Sequence, residues 1–262
     1  MKTLNSRANT HYKSLLQLAT SQHARRESGQ TILEGIHLCR AYLEHVGMPR
    51  QAVAAASFLK HPQVERLFFA VPDRDRLVLD DALFARLSEL ENGVGIAYVI
   101  NFARAEISAI PNGASLMLDR IQDPGNIGSI FRTSVAAGID TVFCSKGTTA
   151  AWSPKALRGA MGAHFHLKIV EECNLCELMD SSRVPIFATS SRASLSLFEV
   201  ALPFDMAWLF GNEGQGADPA LVDRATAIRI PQPGGMESLN VAAAAAVCLF
   251  EQVRQKSATR LP

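Results

Sequence analysis

The fold class this sequence predicts is α/β, built on a parallel sheet, and three observations predict it. From Ser115 onward, short apolar runs alternate with stretches of helical periodicity, the rhythm of strands crossing over through helices that cover both faces of a sheet. Two of the strand-like runs end in glycine-bearing loops, Asp119–Gly128 and Gly211–Gly216. The last long apolar run, Val241 to Phe250, follows without a break on a loop holding Pro231, Pro233, Gly234 and Gly235. Two prolines and two glycines do not sit inside a helix, so a strained loop feeds directly into a buried one, which Ser238 is expected to open.

Taken in order, Leu15, Leu16 and Leu18 suggest one short helix within His11 to Arg26, ending in a basic cluster. Ile36 to Leu43 has helical spacing on one face, whereas Val64 to Ala70 and Val94 to Ile100 read as buried strands with a helix, Asp80 to Glu91, between them. These form a smaller amino-terminal α/β unit, residues 1–105. Apolar periodicity stops around Pro111, Asn112 and Gly113, which marks 106–114 as a linker. A second domain, 115–262, then follows. Its strands are Ser115–Leu118, Thr141–Cys144, Phe165–Val170, Pro185–Thr189, Met206–Phe210 and Ala227–Ile230. Its helices are Ile127–Ala137, Pro154–Met161, Leu175–Ser181, Pro219–Ala225 and the terminal one.

The bulk numbers describe an ordinary well-packed chain: 262 residues, 48% hydrophobic, 19% charged and a net charge of +1, which leaves no global signature of a nucleic-acid binder. The charge is uneven, however. Lys2, Arg7, Lys13, Arg25 and Arg26 all precede the first acidic residue, Glu27, and read as a basic arm able to meet phosphates. No apolar run reaches the ~20 residues that span a bilayer, and the start has no signal-like core. A cytoplasmic location without membrane partners is the expectation. Five cysteines agree with a reducing compartment. Cys173 and Cys176 form a lone C-x-x-C. With neither a second pair nor a thioredoxin-like context, no metal site is predicted, and both are read as lying on or near the buried side of a short helix.

The loop after the first strand of the second domain is Asp119-Arg120-Ile121-Gln122-Asp123-Pro124-Gly125-Asn126-Ile127-Gly128. A strand running through such a loop into a helix is where α/β sheets bind ligands. The glycine spacing is not G-x-G-x-x-G, and no acidic residue ends the next strand, which argues against a dinucleotide-binding or Rossmann-type enzyme. Asn126 falls near the helix start, where it reads most simply as an N-cap, and Arg132 follows almost two turns on. In Gly211-Asn212-Glu213-Gly214-Gln215-Gly216, Glu213 is the one charge amid glycines that let a ligand approach the backbone.

In this order and at these separations, the three stretches resemble motifs one, two and three of the SpoU (TrmH-like) branch of the SPOUT superfamily, the RNA ribose 2'-O-methyltransferases. Asn126 and Arg132 match the first, Gly211 to Gly216 with Glu213 the second, and Ser238-Leu239-Asn240 the third. Ser153 to Ala163 also resembles the family, and Arg25 to Leu43, with Leu33-Glu34-Gly35, resembles the amino-terminal substrate-binding domain of its ribosomal-RNA members, a fold like that of a small ribosomal protein. The resemblance implies a parallel sheet tied in a trefoil knot, S-adenosylmethionine as cofactor, RNA as partner and a homodimer. It assigns Asn126, Arg132, Glu213, Ser238 and Asn240 to the reacting centre, and Thr189, Gly211, Ile230 and Leu239 to the cofactor. Methylation of 23S-type ribosomal RNA is the implied reaction. The alternatives are a tRNA ribose methyltransferase or a non-catalytic RNA-binding protein of the same fold. Neutralising an arginine at pH 7 costs about 8 kcal/mol, so Arg132 is read first as a phosphate clamp and second as a base, with Asn126 orienting the ribose or Arg132 and Glu213 anchoring its loop or Arg132.

Overall fold

The computed structural model describes residues 2–88, 93–102 and 110–258. These pack as two compact units, residues 2–102 together with 152–165, and residues 110–151 together with 166–258. Residues 106–109 of the expected linker 106–114, and residues 89–91 at the end of the expected helix Asp80 to Glu91, lie outside the described residues. The segment 152–165, expected within the second domain, packs into the core of the first unit.

The first unit runs β1 (Lys2–Leu4), α1 (Thr10–Thr20), α2 (Gln22–Ser28), β2 (Gln30–Glu34), α3 (Ile36–His45), β3 (Gln51–Ala55), α4 (Pro62–Ala70), β4 (Arg76–Leu79), α5 (Asp81–Phe84) and β5 (Ile96–Asn101). Its five strands lie in the order β1-β4-β3-β5-β2, with β5 antiparallel to both neighbours. Successive residues of a strand face opposite ways. Ile32, Val53, Leu77, Leu79, Ala97 and Val99 therefore pack on one side against Tyr12, Leu15 and Leu18 of α1. Leu33, Ala52, Ala54, Val78, Ile96 and Tyr98 pack on the other against α3, α4 and Leu157.

Three expectations are corrected here. Val64 to Ala70 is helical, because Pro62 starts the helix and Val64, Leu67 and Phe68 recur at i, i+3 and i+4 as its buried stripe. The helix expected over His11 to Arg26 is two helices: Ser21, in extended conformation, ends α1 through its N–H to Gln17 O and caps α2 by accepting from Ala24 N. The basic arm is folded. Arg25 is buried, its guanidinium donating to the carbonyls of Leu18 and Ala19 at the end of α1, so it faces helix rather than solvent.

The second unit begins with β6 (Ser115–Asp119), α6 (Pro124–Ala136) and β7 (Thr141–Ser145). The chain then supplies α7 (Pro154–Ala160) to the first unit. It returns as β8 (Lys168–Cys173), α8 (Leu175–Ser181), β9 (Ile186–Thr189), β10 (Leu195–Ser196), β11 (Ala207–Gly211), α9 (Pro219–Val222), β12 (Thr226–Arg229) and α10 (Val241–Ala258). The strands form a seven-stranded sheet, β10-β12-β9-β11-β6-β7-β8, parallel at every pairing, as the alternation predicted. β8 starts three residues later than expected because a single 3-10 turn, Ala163–His166, occupies the first positions. Met117, Phe143, Val170, Ala188 and Leu209 share a core with Leu175, Leu178 and Met179 of α8 and Leu221 of α9. Trp208, fully buried, donates its indole N–H to Gln252 of α10 at 2.9 Å, since a buried indole needs an acceptor. Gln252 also donates to Pro203 O and Phe204 O, while Gln255 accepts from Leu202 N and donates to Val200 O. The segment before β11 is thereby fastened to the terminal helix. Cys173 ends β8 and is buried, but Cys176 is exposed on α8, so the two do not share a buried helix face. Among the described residues, no group of three or more metal-ligand side chains gathers, and no helix is long and apolar enough to cross a membrane.

Candidate active site

The carboxyl ends of parallel strands place the expected cofactor residues side by side. Thr189 ends β9 and Gly211 ends β11, while Ile230 immediately follows β12, and these strands are neighbours in the order β12-β9-β11. Gly211 is paired with Asp119, the last residue of β6. A side chain at Gly211 would put a Cβ 1.8 Å from Ala217 N and 2.2 Å from Gly216 C. The loop folds back onto the strand end so closely that only glycine fits.

Three loops meet at this edge through side chains. Glu213 accepts from Asn126 Nδ2 at 2.9 Å and from the backbone N–H groups of Gln122 and Asp123 at 3.0 and 3.1 Å. Asn240 Nδ2 donates to Asn126 Oδ1 at 2.9 Å, and Asn240 Oδ1 accepts from Ala242 N and Ala243 N. The chain of bonds Asn240, Asn126, Glu213 thus fixes which way each carboxamide faces and joins all three motif loops. Loss of solvent raises the affinity of the Glu213 carboxyl for a proton, but the bonds from Asn126, Gln122 N, its own N–H and Asp123 N together outweigh that and hold its pKa below the usual carboxylate value.

Two helix starts differ from expectation. Asp123, not Asn126, caps α6, accepting from Gly125 N ahead of Pro124 at the first turn. Asn126 is thereby freed for Glu213 and Asn240. Asn240, not Ser238, opens α10, because its side chain satisfies the free N–H groups of Ala242 and Ala243. Ser238 and Leu239 are left exposed on the preceding loop.

Arg132 does not join this group. Six residues along α6 from Asn126, it is displaced by about 9 Å along the axis and turned to another face. It is exposed and makes no hydrogen bond or ion pair among the described residues. Neither Asn126 nor Glu213 orients it, so the readings that tied them to Arg132 are corrected. Glu213 anchors loops instead.

Sequence reasoning missed the layer beneath. Asp119, only 4% exposed, accepts from Arg120 Nη2 at 3.0 Å, from Ser145 Oγ at 3.3 Å and from Asp218 N at 2.9 Å. Arg120 adopts a left-handed φ of 52°, a conformation a side chain seldom takes. Its carbonyl accepts from Asn212 Nδ2 and Gln122 Nε2 at 3.0 and 2.9 Å. Asn212 Oδ1 in turn accepts from Gly214 N and Gln215 N. The signals were present: an acid closing an apolar strand, and an asparagine opening a glycine loop, where its side chain mimics a turn.

Residues 113–250, more than half of the chain, match the SpoU rRNA Methylase family. Over 254 residues the chain is 30% identical to the 23S rRNA (guanosine(2553)-2'-O)-methyltransferase RlmP of Bacillus subtilis, covering 95% of this chain and 98% of that protein. An AdoMet-bound rRNA methyltransferase from Sinorhizobium meliloti superimposes with a TM-score of 0.83 at 25% identity, covering 100% of this chain and 99% of that one. A structure described as an RNA 2'-O ribose methyltransferase gives 0.82 at 26% identity over 97% of this chain and 99% of its own. Because the family match takes in all three loops joined at the sheet edge, and the likeness to relatives continues nearly end to end, the chain belongs to the SpoU rRNA Methylase family.

Proposed function

We infer that this protein transfers a methyl group from S-adenosylmethionine to a ribose 2'-hydroxyl of ribosomal RNA. The observation that carries the reading is the bonded chain Asn240, Asn126, Glu213, which assembles three family-matched loops at the carboxyl edge of a parallel sheet. S-adenosylmethionine supplies a sulfonium methyl, whose transfer forms a carbon–oxygen bond, breaks a carbon–sulfur bond and releases the hydroxyl proton. The residues present fit such a group. Met236 and Leu239 leave apolar surface exposed in the loop after β12, and Gln232 in the same loop holds a carbonyl oxygen out of solvent without a donor. Thr189, Gly211, Ile230 and Leu239 would hold the cofactor.

Most of the catalysis is positioning. Asn126, with its amide fixed at both ends, orients the ribose, Ser238 offers an exposed hydroxyl two positions before Asn240, and Asn240 and Glu213 keep the loops in place. Arg132 clamps the phosphate of the target nucleotide and stabilises negative charge as it develops on the ribose oxygen. Its distance from the other groups of its own chain supports a homodimer, in which Arg132 of one chain serves the loops of the other. The terminal helix α10, with Phe250 49% exposed, offers apolar surface for that pairing. A knotted course for the carboxy-terminal part rests on the family match over residues 113–250. The first unit, with Lys2, Arg7 and Lys13 exposed, supplies RNA affinity and choice of target, in the manner of a ribosomal-protein-like domain, and the enzyme works in the cytoplasm.

The test is methylation of total RNA from a strain lacking the gene, with cofactor labelled in the methyl group. Label is expected in 23S ribosomal RNA, at a 2'-O-methyl position that resists alkaline cleavage. Label in tRNA would replace the substrate, and no label in any RNA would overturn the activity.

A further inference from the structure

Among the described residues, Gln232 Oε1 is the one side-chain oxygen closed off from solvent with no hydrogen-bond donor. Its amide nitrogen has no protein partner there either. Sequence explains why the loop leaves it so. Pro231 and Pro233 on either side carry no N–H, and the N–H of Gly235 is taken by the main-chain carbonyl of Gln232 at 3.3 Å. A buried carbonyl without a donor is costly enough that proteins seldom tolerate it away from a ligand. The residue lies two positions after Ile230, in the loop leaving β12 toward Ser238 and Asn240, at the edge that also carries the end of β9.

We propose that Gln232 reads the adenine of the cofactor, its Oε1 accepting from the 6-amino group and its Nε2 donating to the adjacent ring nitrogen. This rests on the methyl-transfer reading above. A planar carboxamide with both ends free matches the donor–acceptor edge of adenine, the pairing glutamine makes with that base elsewhere. A neutral acceptor also suits a neutral amino group, whereas a cationic ammonium is met more strongly by a carboxylate.

The experiment is calorimetric titration of the full chain with S-adenosylhomocysteine and with S-inosylhomocysteine, in which oxygen replaces the 6-amino group. Wild type should prefer the adenine compound by about tenfold. Gln232→Met should lose that preference by weakening S-adenosylhomocysteine about tenfold while leaving the inosine compound within twofold. Gln232→Glu, which retains an acceptor, should keep part of the preference and guards against a folding defect in the first variant. Unchanged binding in Gln232→Met, or equal weakening of both compounds, overturns the proposal even if the cofactor binds. Failure of wild type to bind S-adenosylhomocysteine removes the cofactor reading as well, a result distinguishable from the other two.

Discussion

Two sets of motif residues on the second unit differ in what they touch. Asn126, Glu213 and Asn240 satisfy one another, the backbone of the loop after β6 and that of the first turn of α10, so their geometry is set before any ligand arrives. Arg132 and Ser238 are exposed, with no hydrogen-bond partner among the described residues. The first set is the kind of preorganised frame that costs little to maintain during reaction. On the function proposed above, the second consists of groups whose partners come from outside the chain, either the RNA or a second copy. The motifs therefore mix residues bonded into the folded chain with residues left exposed, and on the proposed function the exposed ones are those that act on the substrate.

The largest expected effect follows from the second set. Arg132→Ala should lower the methylation rate by 100-fold or more, about 2.7 kcal/mol. Because no described residue bonds to the Arg132 side chain, the melting temperature and calorimetric S-adenosylmethionine affinity should stay close to wild type. A variant retaining more than a tenth of the rate would place Arg132 outside the reaction. Lost cofactor affinity would instead move it into the frame.

The first set should behave as a unit. Glu213→Ala removes the acceptor of one side-chain and two backbone donors, so a rate loss of about 10- to 100-fold is expected together with lower thermal stability. Asn126→Ala should produce much of the same loss, and the double variant should fall short of the sum by about 0.5–3 kcal/mol, as for residues in one network. Arg132 combined with Glu213 should add to within about 0.5 kcal/mol. A coupling between Arg132 and Glu213 as large as that between Asn126 and Glu213 would erase the distinction between frame and reagent.

How far the sequence carried the reading depends on whether the information is local. The parallel sheet of the second unit was legible because six of its seven strands, all but β10 (Leu195–Ser196), are compact apolar runs bounded by turn formers, as in sheets buried on both faces. Within the first unit, Val64, Leu67 and Phe68 stand at the helical i, i+3 and i+4 spacing around the charged Glu65 and Arg66, so the pattern was legible as a helix, with Pro62 at its start, although a strand was expected there. The strands β1, β2, β3 and β4 of the first unit escaped notice because polar or small residues, such as Lys2, Thr3, Gln30, Gln51 and Arg76, break up their apolar runs. At the site, the residue types of the motifs were visible but not their pairing. Asn126 looked like a cap although Asp123, directly before Pro124, carries the stronger helix-start signal, whereas the bond from Asn126 to Glu213 spans 87 positions and could not be read locally. Arg25 looked like an RNA contact for the same reason, since its carbonyl partners depend on how α1 and α2 meet.

The smallest effect, and the finest test of the frame, is its response to acid. The Glu213 carboxyl loses solvent, which raises its proton affinity, but the donors from Asn126, Gln122, its own N–H and Asp123 bring the pKa below its ordinary value of 4.5. A carboxylate whose pKa is depressed by folding adds stability that is fully present above that ordinary value and is lost as pH falls through the lower, folded one. Glu213→Gln keeps the shape and removes the charge, so wild type should melt higher than this variant by a constant margin between pH 8 and pH 5. Below about 4.5 the margin should shrink. Because the Glu213 side chain is exposed to solvent, screening limits the difference to less than about 1 kcal/mol, and the melting curves need replicate precision to resolve it. A margin that widened on acidification would mean that the neutral carboxyl is the form the loops prefer. Glu213 would then be a donor in this network rather than the acceptor on which Asn126 and the loop after β6 converge.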